Sequence, residues 1–341
     1  MSVSETPQKA SSHTTPESSE WNFHPELPIG NSPLFDWPPR PIAVVHWFGR
    51  SWLKISEQSI FALIAVVVWF YFQPALELCK ELAFGWVAQV WLRNMVLMVV
   101  VAGGLHLYLI SYKKQGKALK FDPRETAGKG RSFTFNSQVK DNMFWSLASG
   151  VTQWTCYEVL VLWALANGYA PFLNWSDNPV LFLGWFVIVP IFTSFHFYWV
   201  HRFLHWPPLY RLAHALHHRN TNVGPWSGLS MHPIEHVIYL SSVLIHFVIA
   251  SHPIHVFFHM YWNTLGAATT HAGYEGLLVK DKNRLDLGSF HHQLHHRYFE
   301  CNYGNPPMPW DKWFGSFHDG SPEATERVRE RRRQMHGAAG S

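Results

Sequence analysis

Histidine is the residue type that best equips this sequence for chemistry, and its histidines are grouped. Nineteen of the 23 histidines follow residue 195. Three groups have the spacings His-x3-His, His-x2-His-His and again His-x2-His-His. Residues three or four apart lie on one face of a helix, so each group is expected to present its imidazoles together. The three groups are His201 and His205; His214, His217 and His218; and His292, His295 and His296.

These three histidine boxes predict a metal centre. Neutral imidazole nitrogens bind iron, zinc and copper, and the boxes hold enough of them for two ions. Only five carboxylates lie between residues 196 and 300, so the ligands must be nearly all imidazole, unlike those of glutamate-rich soluble di-iron bundles. Simple packing does not explain the boxes, because buried unpaired imidazole is costly. No catalytic residue beyond the metal site is predicted.

Other polar residues are candidates for the same site. His271 is predicted as a ninth ligand, because it follows an apolar stretch that returns the chain to the side of the boxes. Acidic residues could orient a ligand by accepting its second ring N–H, and Asp286 is one candidate of this kind. His106 stands alone on an apolar face and is expected to pack rather than to bind metal. The residues left open as ligands or as partners of ligands are His232, His236, Glu235, Glu275, His291 and Asp311.

Apolar stretches before and between the boxes predict the elements that position them. Four of them are near the length that crosses a hydrocarbon core of ~30 Å, at about 60–76, 94–110, 144–166 and 180–200. The charged fraction of 15% and the 18 Trp also suit a membrane protein. The interrupted stretch 237–269 is predicted to cross or dip as a hairpin. The expected fold is all-α: a polytopic membrane helical bundle of four main spans plus a short hairpin, with a cytoplasmic histidine-rich metal-binding cap.

Loop charge predicts the orientation of this bundle. The loop after the second span is rich in Lys and Arg, whereas residues 167–178 contain neither. By the positive-inside rule the basic loop is cytoplasmic, which places both termini and all three boxes on the cytoplasmic side. The sequence does not indicate which membrane is involved.

The predicted organisation has five parts. They are a disordered or interfacial segment 1–45, a first transmembrane hairpin 46–112, a basic loop 113–142, a catalytic domain 143–318 and a charged tail 319–341. The aromatic residues of the first segment could rest either on the membrane surface or on the body of the protein. No cleaved signal peptide is expected from the start of the chain. A net charge of +4 is too small to argue for nucleic acid, and three unlike cysteines argue against a disulfide framework.

The combination of motifs resembles the fatty acid hydroxylase/sterol desaturase superfamily over about residues 180–318. The segment 217–236 looks most like sterol-desaturase-type members related to sterol C4-methyl oxidase. The motifs are the three boxes, Thr270-His271-Ala272-Gly273-Tyr274, Asn302-Tyr303-Gly304-Asn305 and Trp310-Asp311. The resemblance implies that the eight boxed histidines bind two iron ions, which zinc could replace in recombinant protein. It also implies molecular oxygen as co-substrate and an alkyl C–H of a sterol, fatty-acyl or sphingolipid-type lipid as the target.

The expected partners follow from the same resemblance. Some relatives carry a fused haem domain, but this sequence has no His-Pro-Gly-Gly haem signature. Electrons are therefore expected from a separate protein, a b-type cytochrome or a ferredoxin with its reductase. A basic rim formed by the 113–140 loop with Arg202, Arg211 and Arg219 could hold such a donor or a lipid headgroup, or could serve only to set the topology.

Two other function classes remain beside this one. A non-catalytic membrane metal-binding protein would carry the same boxes. A membrane haem protein with two axial histidines is disfavoured, because its ligands would face each other across the bilayer interior. The sequence does not distinguish hydroxylation from desaturation, and it does not indicate the lipid or the carbon that is oxidised.

Overall fold

A computed structural model describes residues 21–53, 55–127 and 132–338. Residues 1–20 of the predicted N-terminal segment, 128–131 of the predicted basic loop and 339–341 of the predicted tail lie outside the described residues. The described chain is mostly helical, as predicted. A two-stranded antiparallel hairpin, β1 (Gly276–Val279) with β2 (Lys282–Asp286), is an addition that the all-α prediction did not include.

Eleven helices organise the described chain. They are α1 (Pro41–Phe48), α2 (Glu57–Tyr71), α3 (Phe84–Ser111), α4 (138–166), α5 (Pro179–Leu204), α6 (207–218), α7 (Pro233–Leu240), α8 (Pro253–Thr270), α9 (Phe290–Tyr298), α10 (Trp310–Trp313) and α11 (Pro322–Ala338). Short 3-10 turns lie at Pro33–Phe35, Leu76–Lys80, Pro225–Ser227 and Ser241–Phe247.

Two helices, α3 and α5, are long and apolar enough to cross a membrane, which makes the chain an integral membrane protein. A third span results if Pro41–Trp52 and Glu57–Tyr71, which are bent by 41° at their junction, act as one. The helix α4, predicted as a span, is not among the helices that meet this criterion. Its apolar run is interrupted by Glu158, which is buried in an ion pair with Arg93 of α3.

The central element of the core is α8. Sixteen of its side chains are buried, and it packs against α2, α4 and α5. Close approach is possible because small residues occupy its contact faces: Gly266 faces the ring of Phe61, and the backbone at Ala267 contacts Gly228. Its buried residues lie on all sides of the helix, and the polar ones among them include His255, His259 and Asn263. Its C-terminal end delivers His271 to the centre of the protein.

The long helix α5 has two different faces. Asn178 caps its first turn by accepting from the N–H of Leu181, and Pro179 occupies the first helical position, where a missing N–H costs nothing. One face is buried and ends in His201. The opposite face is an exposed apolar stripe of Val180, Leu183, Val187, Ile191, Phe195, Trp199 and Phe203. The helix ends at Leu204, shortly before Pro207 and Pro208.

The described part of the N-terminal segment contacts the body of the protein. Trp21 is buried, and its ring meets that of Phe290 in α9 edge to face at 5.1 Å. The ring of Phe23 stacks on that of Phe121 at 6.4 Å. Of the two alternatives for these aromatic residues, packing against the protein is therefore the arrangement found at both positions.

Candidate metal centre

The structure brings nine predicted histidines together at one place. They come from the C-terminal end of α5, from α6, from the end of α8 and from α9. Within each of two groups, one nitrogen per ring lies within 4.8 Å of the others. The first group is His201, His205, His214, His218 and His295; the second is His217, His271, His292 and His296.

The spacing of the ring nitrogens matches a shared metal ion. In the second group the Nε2 atoms of His271, His292 and His296 form a triangle with sides of 3.0, 3.1 and 3.2 Å. Two nitrogens bound at right angles to one ion, with bonds of about 2.0–2.1 Å, lie about 3 Å apart. In the first group, Nε2 of His218 lies 3.1 Å from that of His205 and 3.0 Å from that of His295. The residues present therefore fit one ion in each group.

Backbone carbonyl groups set the tautomer of four of these rings. Nδ1 of His201 donates to the carbonyl oxygen of Tyr303 at 2.7 Å, and Nδ1 of His295 donates to that of Cys301 at 2.6 Å. His271 donates to Ala267 at 2.8 Å, and His217 donates to the carbonyl of Ser230 at 3.3 Å. A carbonyl oxygen only accepts, so in each ring Nδ1 carries the proton and the lone pair of Nε2 faces the group.

The fifth such ring, that of His214, uses a carboxylate instead. Its Nδ1 donates to Oε1 of Glu235 at 2.7 Å, and both side chains are buried. Its Nε2 is buried without a partner among the described residues, as expected for an atom that faces a metal position. The contact of Glu235 with Nδ1 leaves Nε2 of His214 directed into the first group.

Burial keeps these imidazoles neutral. Loss of water around His214, His217 and His218 lowers the pKa of each ring well below its ordinary value, and the neighbouring imidazoles lower it further. The same causes, in the same order, lower the pKa of His295 and His296. A neutral imidazole has the free lone pair that a metal ligand needs, so the site is prepared for cations near neutral pH.

Helix α6 supplies both groups at once. It begins at Pro207, passes through a wider π-helical turn at Tyr210–His214 and ends at His218. Neighbouring positions on a helix point about 100° apart. His217 therefore faces the second group while His218 faces the first, so a single peptide unit joins the two halves of the centre.

Asp311 belongs to neither group, but it holds a loop that contacts His201. Its carboxylate accepts from the backbone N–H groups of Tyr303 and Gly304, each at 2.8 Å, and from Oγ of Ser316 at 2.7 Å. These bonds hold the loop whose Tyr303 carbonyl accepts from His201. Asp311 also lies 3.6 Å from Nε2 of His291, which is in neither group.

Several residues that were left open lie away from the two groups. His236 uses both nitrogens, with Ser149 Oγ at 3.0 Å and the Leu229 carbonyl at 3.1 Å. His232 caps the start of α7 by accepting from the N–H of Ile234. The Asp286 carboxylate accepts from Arg50 on the surface. Glu275 directly precedes β1, and burial raises the pKa of its carboxyl to about 7.

Sequence reasoning missed a polar link beside the first group. The hydroxyl of Tyr303 donates to Oε2 of Glu300 at 2.7 Å, and Oε1 of Glu300 lies 4.0 Å from Nδ1 of His205. In the sequence, Tyr303 stands out only as part of the motif Asn302-Tyr303-Gly304-Asn305. Its pairing with a carboxylate next to a ligand could have been found only by placing α9 and the following loop in space.

A cavity opens directly onto both groups. Its walls include His201 and His214 from the first group and His217, His271 and His292 from the second. Much of the rest of the wall comes from the inner face of α5, the C-terminal half of α8 and α7, through residues such as Phe197, Tyr239 and Trp262. Glu57 of α2 and the loop residues Gly304–Pro306 complete it. A ligand in this cavity would touch both metal positions.

Comparison with known proteins agrees with the motifs. Residues 186–316 match the family model described as "Fatty acid hydroxylase". The chain is similar to the Delta(7)-sterol 5(6)-desaturase ERG3B of Gibberella zeae, with 29% identity over 139 residues, covering 40% of this chain and 42% of that protein. It is 31% identical over 129 residues to the Delta(7)-sterol 5(6)-desaturase of Eremothecium gossypii, covering 38% and 36%.

A plant relative matches over a longer stretch. The Delta(7)-sterol-C5(6)-desaturase of Nicotiana tabacum is 26% identical over 262 residues, which is 70% of this chain and 87% of that protein. With the two fungal proteins, in contrast, the match spans about two fifths of their length. No solved structure matches the chain.

Proposed function

This chain is a member of the fatty acid hydroxylase/sterol desaturase superfamily, and on that premise we propose that it is a membrane-bound di-iron oxygenase acting on a lipid. The observation that carries the proposal is the shared cavity. Two imidazole groups, each suited to one ion, open onto the same space between α5, α7 and α8. A substrate carbon held there meets both ions.

The proposed substrate is a sterol, because the curated relatives are named as sterol desaturases. Introducing a double bond converts one CH–CH unit, O2, two electrons and two protons into an alkene and two waters. Hydroxylation uses the same inputs and releases an alcohol and one water. Both need an oxidant strong enough to attack an unactivated C–H bond, and an iron pair held by the two histidine groups would supply it from O2.

The residues of the chain have separate tasks in this proposal. The nine histidines hold the two ions, and the carbonyl groups and Glu235 keep their lone pairs aimed inward. The apolar walls exclude water and hold one carbon near the ions, which lowers the entropic cost of reaction. Tyr303 and Glu300 place an O–H and a carboxylate beside His205, where they hold a proton near the first group.

The proposed orientation puts the metal centre and both termini in the cytoplasm. The support is that α5 is membrane-capable and has the first box at its C-terminal end, while the basic loop predicted to be cytoplasmic follows α3. The proposal also requires α4, which lies between them, to cross the membrane with Glu158 paired to Arg93 inside the bundle. A lipid substrate and a separate one-electron donor protein would then approach from different sides, the first from the bilayer and the second from the cytoplasm.

The haem alternative fits the geometry poorly. Two axial nitrogens on opposite sides of one iron, with bonds of about 2.0–2.1 Å, are about 4 Å apart and have a porphyrin between them. The Nε2 atoms here converge at 3.0–3.2 Å in triangles and pairs. The non-catalytic metal-binding alternative is addressed by the experiment below.

The test compares the sterols and other lipids of cells that express the intact chain, the His295→Ala variant or no added protein, using mass spectrometry. We expect a lipid that differs by the loss of two hydrogens or the gain of one oxygen only with the intact chain. Purified protein is then assayed for bound metal and for oxygen consumption. Two bound ions without lipid change or oxygen uptake under a chemical reductant would support the non-catalytic alternative instead.

A further inference from the structure

The C-terminal helix α11 lies directly over the helix that carries the third histidine box. Its buried face consists of Ala324, Thr325 and Val328, and Val328 packs in a cluster with Phe290 and Leu294 of α9. The other face is exposed and rich in arginine. Basic charge is thereby held within one helix layer of the metal ligands.

A short line of contacts leads from this surface to the first histidine group. The guanidinium group of Arg332, on the exposed face, lies 5.7 Å from the ring centre of Phe299. The half-buried ring of Phe299 lies 4.9 Å from the ring of His218. One aromatic side chain therefore separates an exposed arginine from a metal-site imidazole.

The backbone at Phe299 is unusual. Its φ angle is +71°, a region that bulky side chains rarely occupy. The position is held by a hydrogen bond from the N–H of Phe299 to the carbonyl oxygen of His295 at 2.7 Å. Such outliers persist where the surrounding structure imposes them, and they concentrate at functional sites. Here the conformation ends α9 and turns the ring onto His218.

The arginines on the exposed face of α11 could bind an acidic partner. Residues 322–334 contain five arginines and three glutamates. The ion pairs found on this helix join Arg329 and Arg333 to Glu326, whereas the hydrogen bond of Arg331 goes to the carbonyl oxygen of Gly315. Arg332 lies beside Phe299, where its charge also acts on the carboxylate of Glu300, and no ion pair is found for Arg331 or Arg332 among the described residues.

Two of the three arginines of the predicted basic rim, Arg219 and Arg202, donate hydrogen bonds within the protein. Arg219 donates to Asp141 at 2.7 Å and to the carbonyl of Ser132 at 2.8 Å. Arg202 donates to the hydroxyl of Tyr198 at 2.6 Å. These contacts fix the two side chains in place, whereas Arg211 of α6 is exposed, as are the arginines of α11.

We propose that Arg331, Arg332 and Phe299 form the docking surface for an acidic electron-carrier protein, which reduces the metal centre through the His218 side of the first group. The inference rests on the proposed function. Two successive one-electron transfers oxidise two reduced carriers, and together with two protons they balance the reduction of O2 during lipid oxidation. Complementary charge brings the carrier close, which matters because electron transfer slows steeply with distance.

The experiment measures reduction of the iron-loaded full-length protein in neutral phosphatidylcholine nanodiscs. The probe is the soluble, acidic haem domain of a b-type cytochrome, reduced in advance and mixed anaerobically while its oxidation is followed by absorbance. The test variant is Arg331→Glu/Arg332→Glu. The matched control is Lys282→Glu/Arg284→Glu, which reverses two charges that are exposed on β2, in a different part of the fold.

We expect the α11 variant to slow the second-order reaction by at least about tenfold at low salt, with the difference disappearing near 1 M salt. The control and Arg331→Lys/Arg332→Lys should keep the parental rate. With dithionite and a small mediator as reductant, all variants should reduce and turn over normally. The dithionite experiment tests the proposed function separately from the docking surface. Failure to reduce or turn over with dithionite would contradict the proposed function, whereas the docking surface is tested by the cytochrome rates alone.

Three results would overturn the docking surface. One is an unchanged cytochrome rate in the α11 variant with intact metal content. Another is an equal loss in the Lys282/Arg284 control, which would indicate a general charge effect. The third is loss of binding to phosphatidylserine vesicles with a normal cytochrome rate, which would assign the arginines to the membrane surface instead.

Discussion

Nδ1 of His214 lies 2.7 Å from Oε1 of Glu235, although the two residues come from different helices and are 21 positions apart in the chain. Both are buried, and Oε2 of Glu235 has no partner among the described residues. A buried carboxylate in this place is costly unless positive charge is near it. A metal ion on Nε2 of His214 would supply that charge through the ring.

Replacing Glu235 is therefore expected to weaken metal binding. Glu235→Ala should lower the affinity of the centre by about 10–100-fold, because His214 loses the group that sets its tautomer and orientation. Glu235→Gln keeps an acceptor and should lose less. Competition with a chelator measures the change. Glu275→Ala is the control, and an equal effect there would argue against the special role of Glu235.

Removing one histidine from either group should empty one of the two proposed metal positions. His295→Ala and His217→Ala take a nitrogen from the first and second group respectively. Each should lower bound metal from about two ions toward one per chain and abolish lipid oxidation. Elemental analysis of folded protein gives the count. His106→Ala, on α3, should keep both ions; if it lost metal while His295→Ala kept full occupancy, the site assignment would fail.

A close backbone approach makes Gly228 sensitive to any side chain. A Cβ atom there would lie 2.0 Å from the carbonyl oxygen of Ala267, in the helix that carries His271. Gly228→Ala should cost about 1–3 kcal/mol of stability, because α8 must shift to make room. Thermal unfolding in detergent measures the loss. Gly184→Ala is the matched control, since the nearest atom to its Cβ is 3.9 Å away, and its melting temperature should not fall.

The proposed topology predicts which single cysteines react with a membrane-impermeant reagent. Lys117→Cys and Lys312→Cys lie at exposed positions on the proposed cytoplasmic side, and Ser176→Cys lies in the loop before α5 on the other side. The background must carry Cys156→Ser, because Cys156 is exposed whereas Cys79 and Cys301 are buried. In sealed cells only Ser176→Cys should be labelled. Opposite behaviour of Lys117→Cys and Lys312→Cys would contradict the model of a common cytoplasmic face.

The sequence predicted which histidines lie close together, because their convergence within each box is local. Spacings of three and four residues bring rings together on any helix, so the boxes were legible before the fold was known. The division of the histidines into two groups could not be predicted, since it depends on which residues surround His217 and His218 in the folded protein. The carbonyl acceptors at Tyr303 and Cys301 could not be predicted either, because every residue offers a carbonyl and only tertiary structure selects one.

Apolar length predicts the membrane spans less completely than residue spacing predicts the histidine boxes. Apolar length predicted α3 and α5, whose faces need no particular partner to be stable in lipid. It also predicted a span in α4, which is not among the helices that meet the criterion of length and composition. The structure pairs Glu158 with Arg93 of α3 and adds hydrogen bonds from Asn94 and Trp154. Such a pairing across two helices has no signature within either segment.

The two faces of α5 have a consequence for how the protein meets its substrate. Its outer stripe is exposed and apolar and would face bilayer lipid, while its inner face lines the cavity with Phe197 and His201, so one helix thickness separates this outer surface from the proposed metal centre. For a lipid that enters sideways, the relevant concentration is its mole fraction in the membrane. Adding inert phospholipid at constant protein should then slow turnover, whereas diluting the same vesicles in buffer should not.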